Sequence, residues 1–139
     1  MLRLSKKTDY ALLALGHLAS EGVGVASARA IAERFNIPLE LLAKILQQLA
    51  HRRLIAAHQG VHGGYYLVRP AHAISVAEVA TVIDGPMTLT ACSPADDACD
   101  QFSTCTVRDP LWLVGRQILS VLETVTIADL ADYEHGSCR

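Results

Sequence analysis

Between residues 39 and 52 the apolar positions fall in a pattern that an amphipathic helix satisfies. Leu39, Leu42, Ala43, Leu46, Leu49 and Ala50 stand at i, i+3, i+4, i+7, i+10 and i+11. The opposite face carries Glu40, Lys44, Gln47, Gln48 and His51, flanked by Leu41 and Arg52. Asn36-Ile37-Pro38 makes a tight turn before this helix, and Pro38 suits its first turn. A shorter helix, from Ala28 to Phe35, is expected upstream with Ser27 as its N-cap.

The chain beyond residue 52 narrows the possibilities further. Residues 54–58 and 65–69 read as two strands, and the glycine-rich segment 59–64 reads as the hairpin loop between them. Two helices joined by a short turn and then a hairpin is the order of a winged helix-turn-helix. The expected fold is mainly α with a small β-hairpin wing.

On the N-terminal side, Ser5 caps a helix predicted to run to about Ser20, where residues 21–24 break it. Its almost wholly apolar stretch from Tyr10 to Ala19 implies burial on several sides. Beyond Pro70, Ser75 and Glu78 have the spacing of a capping box and open a helix to about Asp84. Residues 87 to about 109 have no period, and Pro110 opens a last long helix. There Leu111, Val114, Ile118, Val121 and Val125 step by three and four residues, an apolar seam suited to pairing with a second copy. The expected division is residues 1–84 as a DNA-binding domain, 85–109 as a cysteine loop, and 110–139 as a dimerisation helix and tail.

Half of the chain is apolar (51%), enough to build a core. The net charge of −2 conceals an asymmetry. Residues 1–70 hold nine Lys/Arg against four acids, whereas residues 71–139 hold three against ten. Only the first half suits a polyanion. No stretch is long and apolar enough to span a bilayer, and no signal peptide is visible. The chain is expected in the cytoplasm, where structural disulfides are rare.

The helix of residues 39–52 would place Lys44, Gln47, Gln48 and His51 against base edges in a major groove. Glu40, an acid on the same face, opposes phosphate but can accept from cytosine, and Leu41 flanks it. Lys6, Lys7, Arg52 and Arg53 are suited to phosphates. His58, Gln59 and His62 at the wing tip suit a minor groove, with Gly60 letting backbone come close. Double-stranded DNA is therefore the expected partner, and no small-molecule substrate is expected. The chain has no phosphate loop, nucleophile–base pair or dinucleotide fingerprint, which argues against an enzyme.

Cys92, Cys99 and Cys105 lie in the aperiodic stretch as C-x6-C-x5-C, with Asp96, Asp97 and Asp100 between them. So long a loop in a compact domain tends to be functional. Three thiolates can wrap an iron–sulfur cluster or a soft cation, or can switch between thiol and disulfide. Zinc sites more often use close C-x2-C pairs. Cys138 reads as an exposed free thiol.

Three segments occur together in a characteristic order: residues 4–12 (LSKKTDYAL), residues 62–67 (HGGYYL) and the three-cysteine loop. In these the chain resembles the IscR/NsrR family of winged-helix regulators, with an opening most like its subgroup that regulates the SUF iron–sulfur assembly operon. The resemblance spans essentially the whole chain. It implies a homodimer with crossing C-terminal helices, a palindromic operator, and a [2Fe–2S] or [4Fe–4S] cluster on Cys92, Cys99 and Cys105. It further implies a regulator, most simply a repressor, that senses cluster status, redox state or nitric oxide.

The chain departs from the family in two places. Members resembling IscR have a histidine three residues after the third cysteine, where this chain has Arg108. Members resembling NsrR use an aspartate in the first helix, donated by the other subunit, and Asp9 matches that position. Many relatives have arginine before the first wing glycine, where this chain has Gln59. The alternative to a cluster is a zinc-containing or clusterless thiol-based regulator of the same fold.

Overall fold

The computed structural model describes residues 3–20, 22–90, 92 and 99–133. Among these residues six α-helices and one hairpin run in order: α1 (Lys6–Ala19), α2 (Ala28–Phe35), α3 (Leu39–His51), β1 (Ile55–His58), β2 (Gly64–Leu67), α4 (Val76–Asp84), α5 (Arg108–Thr124) and α6 (Ile127–Ala131). A short 3-10 turn, Ala71–Ala73, links the hairpin to α4. This is the mainly helical, winged architecture that the sequence implies.

The helix starts are set by hydroxyl caps. Ser5, Ser27 and Ser75 each accept a hydrogen bond from the backbone N–H three residues on, at 3.1 Å. Each therefore satisfies one of the orphan donors of its first turn. The capping box expected at Ser75 is only half formed, because Glu78 turns away to pair with Arg69. The complete box lies at the start of α6, where Thr126 and Asp129 exchange bonds. Between α2 and α3 the chain turns through Asn36, which is left-handed (φ 53°). Asn tolerates that conformation better than most residues with a side chain.

The buried face of α3 is Leu42, Ile45, Leu46 and Leu49. That is a slight rotation from the expected stripe: Ile45 is buried, whereas Leu39 is 37% exposed and Ala43 and Ala50 are half-buried. Leu42, Ile45, Leu46 and Leu49 pack with Ala11, Ala14, Leu15 and Leu18 of α1, Ile31 of α2 and Val79 of α4. Full burial of each large aliphatic side chain contributes on the order of 1.5–3 kcal/mol.

β1 and β2 pair antiparallel in the register Ile55↔Leu67 to His58↔Gly64, a residue or two short of the expected strand ends. A bridge from Ala26 to Tyr65 adds a short third arm before α2. Gly64 is required at that crossing, since a Cβ there would collide with the backbone of Ala26 and Ser27.

The core also draws on the end of the chain. Ile127 is fully buried in it, α6 packs on α1, and Ser75 bridges to Thr126. In contrast, α5 contains no buried residue and rests on α4. It begins at Arg108, two residues before Pro110, and ends at Thr124. Val125 is accordingly an extended cap and not part of the helical seam.

Candidate nucleic-acid interface and cysteine site

One concave surface gathers much of the predicted DNA-reading set. Lys44, Gln47, Gln48, His51 and Arg52 along α3 share a groove with Lys7 of α1 and Val82 of α4, with a volume of about 720 Å³. Its polar residues are all exposed. They project together because the opposite side of α3 is anchored in the core at Leu42, Ile45 and Leu49.

The other candidates sit elsewhere. Lys6 faces away from this groove: it lies 4.0 Å from Asp9 and 5.3 Å from the Tyr10 ring. Glu40 is exposed and Leu41 half-buried at the start of α3. His58, Gln59, Gly60 and His62 are all exposed at the wing tip, with Val61 at 98% exposure between them. Gly63 closes this tip by donating its N–H to the Gly60 carbonyl at 3.0 Å.

Side-chain hydrogen bonds tie the end of α4 to the start of α1. Asp84, at the end of α4, accepts from the hydroxyls of Ser5 at 2.7 Å and Thr8 at 2.8 Å. Burial pushes its carboxyl up. The hydrogen bonds from Ser5 and Thr8, with the charge of Lys7, outweigh that and leave it below the ordinary value. His17 is held below its usual pKa by burial first and the Arg34 charge second, and it meets Phe35 edge-on at 5.7 Å.

Cys92, Cys99 and Cys105 are free thiols, with Cys92 and Cys105 half-buried and Cys99 exposed. Asp96, Asp97 and Cys138 lie outside the described residues. Among the described residues no three His, Cys, Asp or Glu side chains converge as a ready metal site. The donor set, three free thiols on one loop, nevertheless fits thiolate-bound iron. Trp112, which lines a largely apolar groove of about 520 Å³ with Cys92, has a buried indole N–H without a partner among the described residues. Sequence reasoning singles out Arg108 only as a missing histidine and passes over Trp112.

Asp9 is placed on another face. It lines a groove with Leu13, His17, Leu130 and Tyr133, and Cys92 lines the groove beside α5. Of the seam residues, Val114 (41%) and Val121 (63%) are strongly exposed, as is Leu113 (50%). Leu111, Ile118 and Val125 are half-buried. Among the described residues no helix is long and apolar enough to cross a membrane.

Comparison with known proteins agrees with this architecture. A Mycobacterium tuberculosis protein named "Putative HTH-type transcriptional regulator Rv1287" is 35% identical over 131 residues, covering 94% of this chain and 81% of its own length. The structure of CymR (YrzC), described as the global cysteine regulator of B. subtilis, superposes with a TM-score of 0.79 at 26% identity. It covers 97% of this chain and 100% of CymR. IscR of T. potens gives 0.72 at 26% identity, over 97% and 94% of the two chains. Residues 4–133 match the family described as Rrf2, iron-dependent transcriptional regulator. The chain thus belongs to the Rrf2 family of transcriptional regulators, which are not enzymes.

Proposed function

We propose that this chain is a homodimeric, operator-binding transcription regulator, most simply a repressor, that reads iron–sulfur cluster status through Cys92, Cys99 and Cys105. The observation that carries the reading is the pairing of an exposed α3 groove with a three-thiol loop. That loop leads from α4, which packs on α3, into α5, which contains no fully buried residue. DNA would meet Lys7, Lys44, Gln47, Gln48, His51 and Arg52 in one groove, with Glu40 and Leu41 at its margin and Lys6 reaching phosphate from outside it. His58, Gln59, Gly60 and His62 would add contacts from the wing.

A cluster bound at the three thiols would supply sensitivity to iron, oxidants and nitric oxide. The chain does the rest. Cys92 lies after α4 and Cys105 before α5, so ordering the loop fixes the two helices against each other. Since α4 also packs on α3 and α1, a shift there biases the DNA-reading surface between two states. Asp9, which matches the aspartate that NsrR-like members donate from the other subunit, would complete the ligand set across the dimer; within one chain it lines a different groove from Cys92. The seam Leu111, Val114, Ile118 and Val121, with Val125 at its end, would pair the two subunits. Likeness to SUF regulators in residues 4–12 directs the reading toward iron–sulfur assembly genes and a cytoplasmic site of action.

A second reading is favoured by one observation: the good superposition with CymR, a regulator named for cysteine. There the thiols would act without a cluster, or with zinc. Absorption spectra with iron, sulfide and zinc analysis on protein purified without oxygen separate the two. A brown protein with matched iron and sulfide, whose operator affinity changes on cluster loss, is the expected result. A colourless protein that stays so after reconstitution overturns the cluster reading and leaves the DNA-binding one.

A further inference from the structure

Arg108, the first residue of α5, is held unusually firmly for a residue at a helix start. Its guanidinium lies 4.2 Å from the Phe102 ring centroid and 5.2 Å from that of Trp112. Nη1 donates to the Phe102 carbonyl at 2.9 Å, and Nε donates to Asp109 at 2.7 Å. The side chain is only 20% exposed, and its carboxylate partner Asp109 is 70% exposed. A planar cation lying against two aromatic rings loses little further freedom on meeting an anion.

The surroundings indicate which anion. Arg108 follows Cys105 by three residues, and Trp112, over whose ring its guanidinium lies, shares a groove with Cys92 and Asp109. Trp112 brings its buried N–H, unpartnered among the described residues, to the groove that Cys92 lines. This cation and donor lie outside the DNA-reading groove.

We propose that Arg108, clamped by Phe102 and Trp112, is the fixed positive charge of the cysteine site and holds the reduction potential of a cluster bound there above its unassisted value. The inference rests on the cluster reading. An iron–sulfur centre on thiolates gains negative charge when reduced, and a nearby fixed cation favours that form. An N–H donated from Trp112 to a cluster or cysteine sulfur acts in the same direction. Arg108 is thus a positioning and tuning residue and not itself a ligand.

The test is a potentiometric titration, monitored by visible absorption, of full-length wild type, Arg108→Gln and Arg108→Lys reconstituted without oxygen. Iron and sulfide are assayed on each. Arg108→Gln is expected to load equally and to be roughly tenfold harder to reduce, about 59 mV lower for a one-electron couple. Arg108→Lys, with its charge but not its stacked plane, should fall between. Equal potentials at equal loading overturn the inference and leave the cluster reading intact. Loss of loading in Gln with retention in Lys supports the charge role, whereas loss in both makes the stack a purely structural clamp and overturns it. A wild type that takes up no iron and sulfide removes both claims.

Discussion

The hydroxyl of Thr8, fully buried in α1, donates to Oδ2 of Asp84 at the last turn of α4, 2.8 Å away. This bond joins the helix bearing Lys7 to the helix that carries the cysteine loop.

Asp84→Ala would leave the Thr8 hydroxyl buried without its acceptor. A cost of about 1–2 kcal/mol is expected in urea unfolding near neutral pH. Because the folded carboxyl sits below its ordinary value, its contribution is present above that ordinary value and is lost as pH falls through the folded one. The gap between wild type and variant should therefore close in acid. A gap that stays constant down to about pH 3, below the ordinary carboxylate range, would show that the hydrogen bonds to Asp84 do not depend on its charge.

Gly64→Ala places a methyl against the Ala26 carbonyl. The strand crossing must open, losing the paired bonds between Ala26 and Tyr65. Destabilisation of roughly 1–3 kcal/mol is expected, measured by thermal melting. The loss should be smaller for Gly60→Ala, which meets no neighbouring atom, though its positive φ (126°) still carries strain.

In the α3 groove the two kinds of contact should separate. Lys7→Ala is expected to weaken binding across DNA sequences alike and to reduce the salt slope by about 1. Gln47→Ala or Gln48→Ala should cost about 1–3 kcal/mol on the operator and little elsewhere. Fluorescence anisotropy over a salt series reads both. Equal losses on operator and random DNA for the Gln variants would remove them from base reading.

Val121 is 63% exposed on a helix with no buried residue. Val121→Glu should convert a dimer to monomer in sedimentation velocity while leaving helical circular dichroism nearly unchanged. An unaltered sedimentation coefficient would place the subunit contact elsewhere.

For Asp9 the expected outcome is narrower. Asp9→Ala should shorten the lifetime of the reconstituted cluster in air and alter its absorption, and mixing it with a Cys92→Ala variant should restore part of the signal in heterodimers. Unchanged spectra and lifetime would leave Asp9 as an ordinary first-turn acid, stabilised by the helix dipole.

Most of the winged domain is legible in the sequence because its signals are local. Serine caps, the Asn36 turn and the three-and-four spacing of leucines each fix backbone within a few residues. The rotation of the α3 stripe escapes because Leu39 continues the helical period while sitting at an exposed N-terminus. Glu78 reads as half of a capping box because its actual partner, Arg69, belongs to a different element. The burial of Ile127 and the Thr8–Asp84 bond are illegible for the same reason: each joins positions far apart in the chain. Around the cysteines, spacing identifies the thiols but not the Arg108 stack, which depends on where Phe102 and Trp112 fold.

The buried position of Ile127 also bears on the order in which the protein is made. A ribosome emits residues 1–84 well before Ile127, so the winged half emerges with a vacancy in the core that Ile127 shares with Leu15 and Ile74. The cysteine loop and α5 must both leave the exit tunnel before α6 can fill it. Newly made chains thus complete this core only after Cys92, Cys99 and Cys105 have already emerged.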